Sequence, residues 1–358
     1  MSNMFPEIKK NFGFGVMRLP MVDGDVVHED FCRMVDAFMH AGFNYFDTAR
    51  VYLSGKSEIA LRECLVKRYA REDFVLVDKL SNSCFEKEEE IRPFFESQLE
   101  SLGTDYIDIW LMHAQNAASF EKYKNCRAYE TAQELKAEGK IRHYGLSFHD
   151  TADVLDKILT EYPSVEVVQL QFNYLDFEDE RVQARLCYET CVRHGKPVIV
   201  MEPVRGGALA NLPPVARKHF EELGDNMSPA SYAIRFAAGF DNVMMVLSGM
   251  SNIEQVKDNI SYMADFIPLS EREKEAVDKV CKILRNSDII RCTGCAYCVD
   301  GCPANINIPA HFAVSNAKVL GGEAEAVEGG APADCLKCGQ CEEICPQKLK
   351  ITELLEKI

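Results

Sequence analysis

Eight of the fifteen cysteines form two copies of one spacing pattern. Each copy is Cys-x2-Cys-x2-Cys-x3-Cys-Pro, over residues 292–303 and 335–346. Three closely spaced thiolates can hold three irons of one cubane, and the fourth thiolate, three residues on, ligates the opposite cluster. The pattern therefore predicts two [4Fe–4S] clusters, one held by Cys292, Cys295, Cys298 and Cys345 and the other by Cys335, Cys338, Cys341 and Cys302.

Disulfide bonds and zinc are the alternative uses of these cysteines. One Cys-x2-Cys pair suits zinc, because four thiolates form a closed structural zinc site. Two complete copies, each closed by Cys-Pro, favour iron–sulfur clusters and a reducing compartment. Cys187 and Cys191 share a face of a predicted helix, where we expect buried hydrophobic residues. No usable partner spacing is found for the remaining five, Cys32, Cys64, Cys84, Cys126 and Cys281.

Four residues of the first half could transfer a proton: Asp47, Tyr52, Lys79 and His113. A tyrosine with a pKa near 10 is a poor acid at neutral pH. A nearby ammonium favours the phenolate, and a carboxylate keeps that ammonium charged. Such a phenol could protonate a carbonyl oxygen while a hydride reaches its carbon, and the imidazole could orient the same oxygen. The alternative is a structural ion pair with two packed rings.

Eight short apolar runs predict the strands that must position these groups. Most are continuous and rich in β-branched or aromatic residues, which is typical of strands buried on both faces. Stretches of helical periodicity separate them, such as HEDFCRMVDAFMHAG and YETAQELKAEG, and Gly139 ends the second in a C-cap position. The predicted strands span residues 14–17, 43–47, 73–79, 106–113, 141–147, 165–171, 196–202 and 243–248.

Eight strand–helix units have the size and rhythm of a (β/α)8 TIM barrel. The alternative, a doubly wound open sheet, carries a GxGxxG turn after its first strand, which FGFGVM does not match. A barrel forms its active site where the strands end. Polar residues stand at these ends, namely Asp47, Lys79, His113, Ser147, Gln169 and Glu202. We predict an α/β fold with a barrel over residues 1–285 and a second domain over 286–358.

The segments NYFDTARVY, VDKL, DYIDIWLMHA and GLSFH resemble the signatures of the aldo-keto reductases, and the resemblance runs from about Phe12 to Asn259. This family binds a nicotinamide dinucleotide across a (β/α)8 barrel and reduces aldehydes and ketones. The resemblance implies that Tyr52 is the general acid, that Lys79 and Asp47 tune it, and that His113 orients the carbonyl. The tail, residues 286–358, resembles a bacterial-type two-cluster ferredoxin domain, with a predicted helix in IPAHFAVSNAKVLGG and a loop in EAEAVEGGAPAD.

The resemblance also implies a cofactor site. Residues 147 and 169 fall where the family holds the nicotinamide carboxamide, and residue 201 falls where it stacks a ring. The segment 203–209 corresponds to the pyrophosphate loop, and 248–259 to the segment that grips the adenosine end. Arg205 is either a phosphate partner or a solvated charge. The implied residues are Ser147, Gln169, Met201, Val204, Arg205, Gly206, Gly249, Gln255 and Asn259.

The charges at the adenosine end bear on whether the cofactor is NADH or NADPH. Gly249 and Gln255 stand where NADP-specific relatives place a Lys and an Arg on the 2′-phosphate. Losing those charges removes charge-assisted hydrogen bonds of about 1.5–3 kcal/mol each. This favours NADH over NADPH, although Lys257 could compensate.

Composition limits the partners. Lys and Arg number 40 against 56 Asp and Glu, a net charge of −16 over 358 residues. This charge argues against nucleic acid and anionic membrane surfaces. No apolar run is long enough for a membrane span, and the amino terminus lacks the apolar core of a signal peptide. We expect a cytoplasmic protein.

The sequence thus predicts an NAD(P)H-dependent oxidoreductase that interconverts a carbonyl and an alcohol, with a small carbonyl or polyol substrate. In one interpretation, the clusters relay single electrons to a ferredoxin or flavoprotein partner, and a flavin or a radical-tolerant substrate splits the electron pair. In the other, they hold the tail over the barrel mouth and shape the substrate pocket. The alternative function is an electron-transfer subunit between nicotinamide or flavin and a ferredoxin-type partner. Its barrel would then be a docking or redox-sensing module.

Overall fold

A computed structural model describes residues 4–299, 301–319 and 326–358. Eight parallel strands close into a barrel, in which β1 pairs with both β4 and β10. A two-stranded hairpin, β2–β3, follows the first barrel strand. The strands are β1 (Phe12–Gly15), β2 (Met21–Val22), β3 (Asp25–Val26), β4 (Tyr45–Asp47), β5 (Val75–Leu80), β6 (Ile107–Gln115), β7 (Ile141–Phe148), β8 (Val167–Gln171), β9 (Val198–Met201) and β10 (Val243–Gly249).

Helices surround this barrel. In α1 the buried side chains Phe31, Met34, Val35 and Phe38 recur at intervals of three and four residues, so that one stripe faces the strands. The helices of the first 285 residues are α1 (His28–His40), α2 (Lys56–Leu61), α3 (Glu88–Leu102), α4 (Ala117–Asn125), α5 (Ala128–Ala137), α6 (Ala152–Glu161), α7 (Ala184–Arg193), α8 (Pro214–Glu221), α9 (Pro229–Ala238), α10 (Ile253–Met263) and α11 (Glu271–Arg285).

The predicted (β/α)8 barrel is confirmed, and each predicted strand overlaps an observed one. The first strand lies two residues earlier than predicted, because the buried apolar pattern continues through Val16 after the strand ends at Gly15. Cys187 and Cys191 are buried on α7, as predicted. The sequence offered no partner for Cys32, but the structure joins it to Cys64 in a disulfide with a Cα–Cα distance of 4.6 Å.

The interior of the barrel is filled from its amino-terminal end. Phe5 packs there, and the neighbouring backbone is tied to Asn44, whose side chain accepts from the Lys9 amide at 3.1 Å and donates to the Glu7 carbonyl at 2.9 Å. The polar strand ends therefore lie at the opposite, carboxyl end. The buried side chains that pack with Phe5 in the barrel interior are Tyr45, Val75, Val77, Ile109, Leu111, Val167, Ile199, Met245 and Leu247.

The tail has a different construction. Its described part contains α12 (Ile308–Val319), α13 (Gln340–Glu343) and α14 (Ile351–Leu355), and a single bridge joins Ile306 to Gly330. The predicted helix is confirmed as α12 over residues 308–319, and its last three residues, 320–322, lie outside the described chain. Of the predicted loop 323–334, residues 323–325 lie outside the described chain, and the rest is irregular up to a short turn at Pro332–Asp334. The domain division after residue 285, where α11 ends, stays a prediction.

The tail packs against the barrel mouth through buried polar contacts. The Gln171 and Gln347 amides bond reciprocally, at 3.1 and 2.8 Å. Gly206 has a φ of 65°, and a Cβ there would lie 2.0 Å from the Thr293 carbonyl, so only glycine allows this approach. Searched over the described residues, the structure contains no helix long and apolar enough to cross a membrane.

Candidate active site

A buried ion pair lies at the carboxyl ends of two neighbouring strands. The Lys79 Nζ on β5 is 2.6 Å from the Asp47 Oδ1 at the end of β4, and it donates to the Thr48 carbonyl at 2.7 Å. Gln169 on β8 donates its Nε2 to the other Asp47 oxygen at 2.9 Å. Because both carboxylate oxygens and the ammonium have partners, the pair is fixed in one geometry.

Tyr52 is placed over this pair by a strained turn. Leu53 and Ser54 have φ values of 50° and 54°, and Gly55 has 85°, so three successive residues adopt left-handed backbone. Such strain persists where the surroundings impose it, often at functional sites. The Tyr52 ring centroid lies 4.8 Å from the Lys79 Nζ and 5.9 Å from the His113 ring, and the predicted tetrad is thereby brought together.

The pKa of Tyr52 runs against the sequence expectation. We expected the Lys79 ammonium to favour the phenolate. Instead, burial raises the pKa of Tyr52 well above 10, and the charges of Asp47, Asp78 and Glu202 raise it further. Tyr52 is therefore a protonated phenol at neutral pH.

His113 is aimed by a bulge in β6. The register of β6 against β7 shifts between Met112 and Gln115, and Ala114 has a φ of 51°. The Ala114 amide donates to the Ser147 Oγ at 2.8 Å, which fixes the bulge. Burial, followed by the charge of Lys79, lowers the pKa of His113 well below 6.5, so its imidazole is neutral.

One ring nitrogen of that imidazole is hydrogen-bonded to Ser81, a residue that the sequence analysis missed. The His113 Nδ1 and the Ser81 Oγ are 2.6 Å apart. The contact leaves the Nε2 of His113 for a ligand in the cavity that its ring lines. Ser81 lies two residues past Lys79 beyond a predicted strand end, which is the only sequence signal for it.

A cavity of about 1880 Å³, including its opening to solvent, lies above the tetrad. Seven of the nine predicted cofactor residues line it, namely Gln169, Met201, Val204, Gly206, Gly249, Gln255 and Asn259. Ser147 and Arg205 are not among the lining residues.

Neither interpretation of Arg205, as a phosphate partner or as a solvated charge, fits this geometry. Its side chain is 3% exposed, and its Nε donates to both Asp176 carboxylate oxygens at 3.0 Å. Its Nη2 donates to the Arg291 carbonyl at 2.9 Å and to the Gln347 Oε1 at 3.3 Å. Arg205 therefore joins the barrel to the tail. The physical reason is that the tail covers this side of the loop, which a local sequence pattern does not reveal.

Several cavity residues were not predicted as ligand-binding. Arg18 lines the cavity and donates to the Thr293 carbonyl at 3.0 Å. His149 has its pKa lowered to about 4, by burial and then by the charge of Lys348. Glu202 was noted only as a polar strand end, and burial raises its pKa to about 7. The tail adds Cys295 and Tyr297.

The eight motif cysteines surround two smaller cavities. One, of about 330 Å³, is lined by Cys292, Cys295, Cys298 and Cys345. The other, of about 340 Å³, is lined by Cys302, Cys335, Cys338 and Cys341. These are the two sets that the spacing predicts, including the exchange of the fourth cysteine.

The arrangement of these thiols bears on the zinc and disulfide alternatives. All eight are unpaired with one another. Among the residues that the structure describes, no three His, Cys, Asp or Glu side chains are placed to hold a single metal ion. Thiols spread around a cavity fit a cubane with four corner irons better than one tetrahedral ion.

Two family models match the chain. The aldo/keto reductase family model matches residues 11–282, and a 4Fe-4S dicluster domain model matches residues 291–349.

Curated relatives match the barrel region. An uncharacterized oxidoreductase of Bacillus subtilis is 26% identical over 68% of this chain and 85% of its own length. The NADH-specific methylglyoxal reductase of Escherichia coli is 28% identical over 63% and 81%. The L-galactose dehydrogenase of Arabidopsis thaliana is 26% identical over 76% and 89%.

Solved structures agree in fold. An aldo-keto reductase of Bacillus halodurans in its holo form superposes with a TM-score of 0.61 at 26% identity, covering 76% of this chain and 92% of that one. An aldo/keto reductase of Klebsiella pneumoniae in complex with NADP and acetate gives 0.62 at 20% identity, covering 75% and 90%, which supports the fold alone.

Proposed function

The chain belongs to the aldo/keto reductase family of oxidoreductases and carries a 4Fe-4S dicluster domain, and we propose that it interconverts a carbonyl and an alcohol with a nicotinamide cofactor. The observation that carries this proposal is the position of Tyr52 over the buried Lys79–Asp47 pair and beside His113. Asp47, Tyr52 and His113 line one cavity. A docking or redox-sensing module would have no use for such a tetrad.

The roles of the residues follow from their chemistry. The bound nicotinamide supplies or accepts a hydride. Tyr52, protonated at neutral pH, gives its proton to the carbonyl oxygen, and Lys79 beside it stabilises the phenolate left behind. Asp47 holds the Lys79 side chain in place through a contact of 2.6 Å. His113 is neutral and held at its Nδ1, so its Nε2 can orient the same oxygen.

The proposed cofactor is NADH. Seven lining residues fit the predicted dinucleotide site, and at its adenosine end Glu254 and Asp258 also line the cavity. These carboxylates would repel a 2′-phosphate. Lys257 is exposed and is not among the lining residues, so it does not supply the compensating charge. The NADH-specific name of the Escherichia coli relative agrees with this assignment.

We propose that the two cysteine sets hold two [4Fe–4S] clusters. Such clusters supply one-electron transfer, and a ferredoxin or flavoprotein would be the partner. Cys295 and Tyr297 line the cavity that Tyr52 also lines, so the first set lies beside the proposed chemistry. The tail therefore shapes the substrate pocket as well, and the two roles foreseen for the clusters are compatible. The proposal does not require a flavin.

The test is anaerobic turnover of a panel of aldehydes, ketones and polyols with NADH and NADPH. We expect at least one carbonyl compound to be reduced faster with NADH than with NADPH. Absence of turnover across the panel by protein with full iron content would contradict the proposal.

A further inference from the structure

A basic groove lies where the tail meets the loop that follows β8. Its volume, including its opening to solvent, is about 1000 Å³. Five cationic side chains and one carboxylate line it, whereas the whole chain has 40 basic and 56 acidic residues. The groove therefore reverses the charge balance of the protein. Its charged residues are Arg181, Arg291, Lys348, Lys350, Lys357 and Glu353.

The carboxylates near the groove balance only part of this charge. The Asp179 Oδ2 is 2.9 Å from the Arg181 Nη2 and 2.8 Å from the Arg291 Nη1, so two arginines share one carboxylate. The Lys350 Nζ is 3.3 Å from the Glu353 Oε1. With these two carboxylates counted, the five cations leave an excess of three positive charges. The three groove lysines are exposed to solvent, so the excess charge is open to a partner.

The basic groove shares a wall with the cavity of the first cysteine set. Leu349 lines both of them. Along the chain, Arg291 directly precedes Cys292, and Lys348 follows Cys345 by three residues. A protein seated in the groove would thus lie one side chain from the thiols that we propose hold a cluster. This closeness suits a partner that exchanges electrons with that cluster.

The apolar part of the groove favours a protein as its occupant. Ile289 and Leu354 line it and are half-buried, beside the exposed cations. Apolar side chains with a charged rim are typical of protein interfaces. A nucleic acid would be repelled by the net charge of −16 on the rest of the chain, and the groove offers it few cations. A protein with a local cluster of carboxylates fits both the charge and the apolar residues.

We propose that the basic groove is the docking site of an acidic one-electron carrier protein of the ferredoxin type, held through its surface carboxylates. This inference rests on the two clusters proposed above and assigns the surface at which their partner binds. Complementary charges steer such partners together, and salt screens the attraction. Redox partners typically form small, transient interfaces, which an open groove of this kind can supply.

Calorimetric titration tests the docking site without depending on turnover. The full chain, prepared anaerobically and with its iron content measured, is titrated with an oxidised acidic ferredoxin. We expect binding whose Kd rises about tenfold or more between about 50 and 300 mM salt, because the attraction is electrostatic. Cytochrome c, a small carrier protein of basic charge, is the counter-probe and should not bind.

Charge reversal locates the site. Lys350→Glu combined with Lys357→Glu should raise the Kd for the ferredoxin about tenfold or more, since two attractive charges become repulsive. The same pair changed to Gln removes the charges without reversing them, and a smaller rise of about threefold is expected. Lys274→Glu combined with Lys318→Glu is the matched control, because it changes the net charge equally at exposed positions that do not line the groove. Its Kd should stay within about twofold of the wild type.

The outcomes separate this inference from the proposed function. Absence of ferredoxin binding by iron-replete protein, an unchanged Kd in both groove variants, or an equal loss in the control overturns the docking site and leaves carbonyl reduction standing. Displacement of the ferredoxin by a single-stranded oligonucleotide would assign the groove to nucleic acid instead, and a salt-sensitive dimer broken by the groove variants would assign it to a second copy of the chain. Protein that holds no iron overturns the proposed clusters, and this inference with them.

Discussion

The barrel and the tail fix their functional residues by different means. In the barrel, a closed ladder of eight strands places Asp47, Lys79 and His113 at one rim. The described part of the tail has one bridge and three short helices, and seven of its eight motif cysteines lie outside these elements. Cys298 and Cys345 belong to its small hydrophobic cluster. The barrel is stabilised by its own packing, whereas we expect the tail to depend on the groups that its cysteines hold.

If Tyr52 acts only in carbonyl reduction, its loss should leave the clusters of the tail unaffected. Removing its hydroxyl in Tyr52→Phe should lower kcat/KM for carbonyl reduction by about 10²–10⁴-fold, because the proton donor is lost. Iron and sulfide content should be unchanged. Anaerobic kinetics and metal analysis on the same preparation measure both. A rate within twofold of the wild type would contradict the proton-donor role.

We expect the Asp176→Asn variant to weaken the contact between the barrel and the tail. Without the Asp176 charge, the Arg205 guanidinium is buried without a counter-ion, and breaking a buried ion pair in this way typically destabilises a protein by about 3–5 kcal/mol. We expect a lower thermal inactivation temperature and faster proteolytic release of the tail. Asp153→Asn, at an exposed position on α6, is the matched control. Wild-type stability in Asp176→Asn would mean that the pair does not hold the tail.

The sequence predicted the barrel well because buried parallel strands give continuous apolar runs that few other elements imitate. The rim residues followed, since a barrel brings the carboxyl ends of its strands together. The first strand was shifted because Val16, though buried, lies beyond the strand end.

Contacts between distant parts of the chain were not predictable. The bonds of Arg205 to the tail join residues 86 and 142 positions apart, and no local pattern encodes them. Ser81 beside His113 and the Cys32–Cys64 disulfide likewise depend on tertiary structure. The pKa of Tyr52 was misjudged because the sequence shows neither its burial nor the several carboxylates around it.

Substitutions at the adenosine end of the barrel cavity test whether charge alone determines the preference for NADH over NADPH. Gln255→Arg adds a cation beside the proposed 2′-position, and one charge-assisted hydrogen bond should improve kcat/KM for NADPH by about 10–100-fold. NADH should change little. Lys257→Ala is the companion variant, and we expect no effect because Lys257 does not line the cavity. A marked loss of NADPH use in Lys257→Ala would show that this residue binds the phosphate.

The sharpest comparison is between the two cysteine sets of the tail. Cys295 lines the catalytic cavity, whereas Cys338 is exposed and lines the second cysteine cavity. We expect Cys295→Ala and Cys338→Ala each to remove about half of the iron and sulfide, from about eight to about four of each per chain, because each set holds one four-iron cluster. Only Cys295→Ala should also change the KM for the carbonyl substrate, since the loop that carries it forms a wall of the pocket.

Cys84→Ala, outside both sets, controls for the loss of a thiol. Equal kinetic effects of the two variants would mean that the tail acts on the barrel as one unit, and unchanged iron in either variant would remove that cysteine from the ligands.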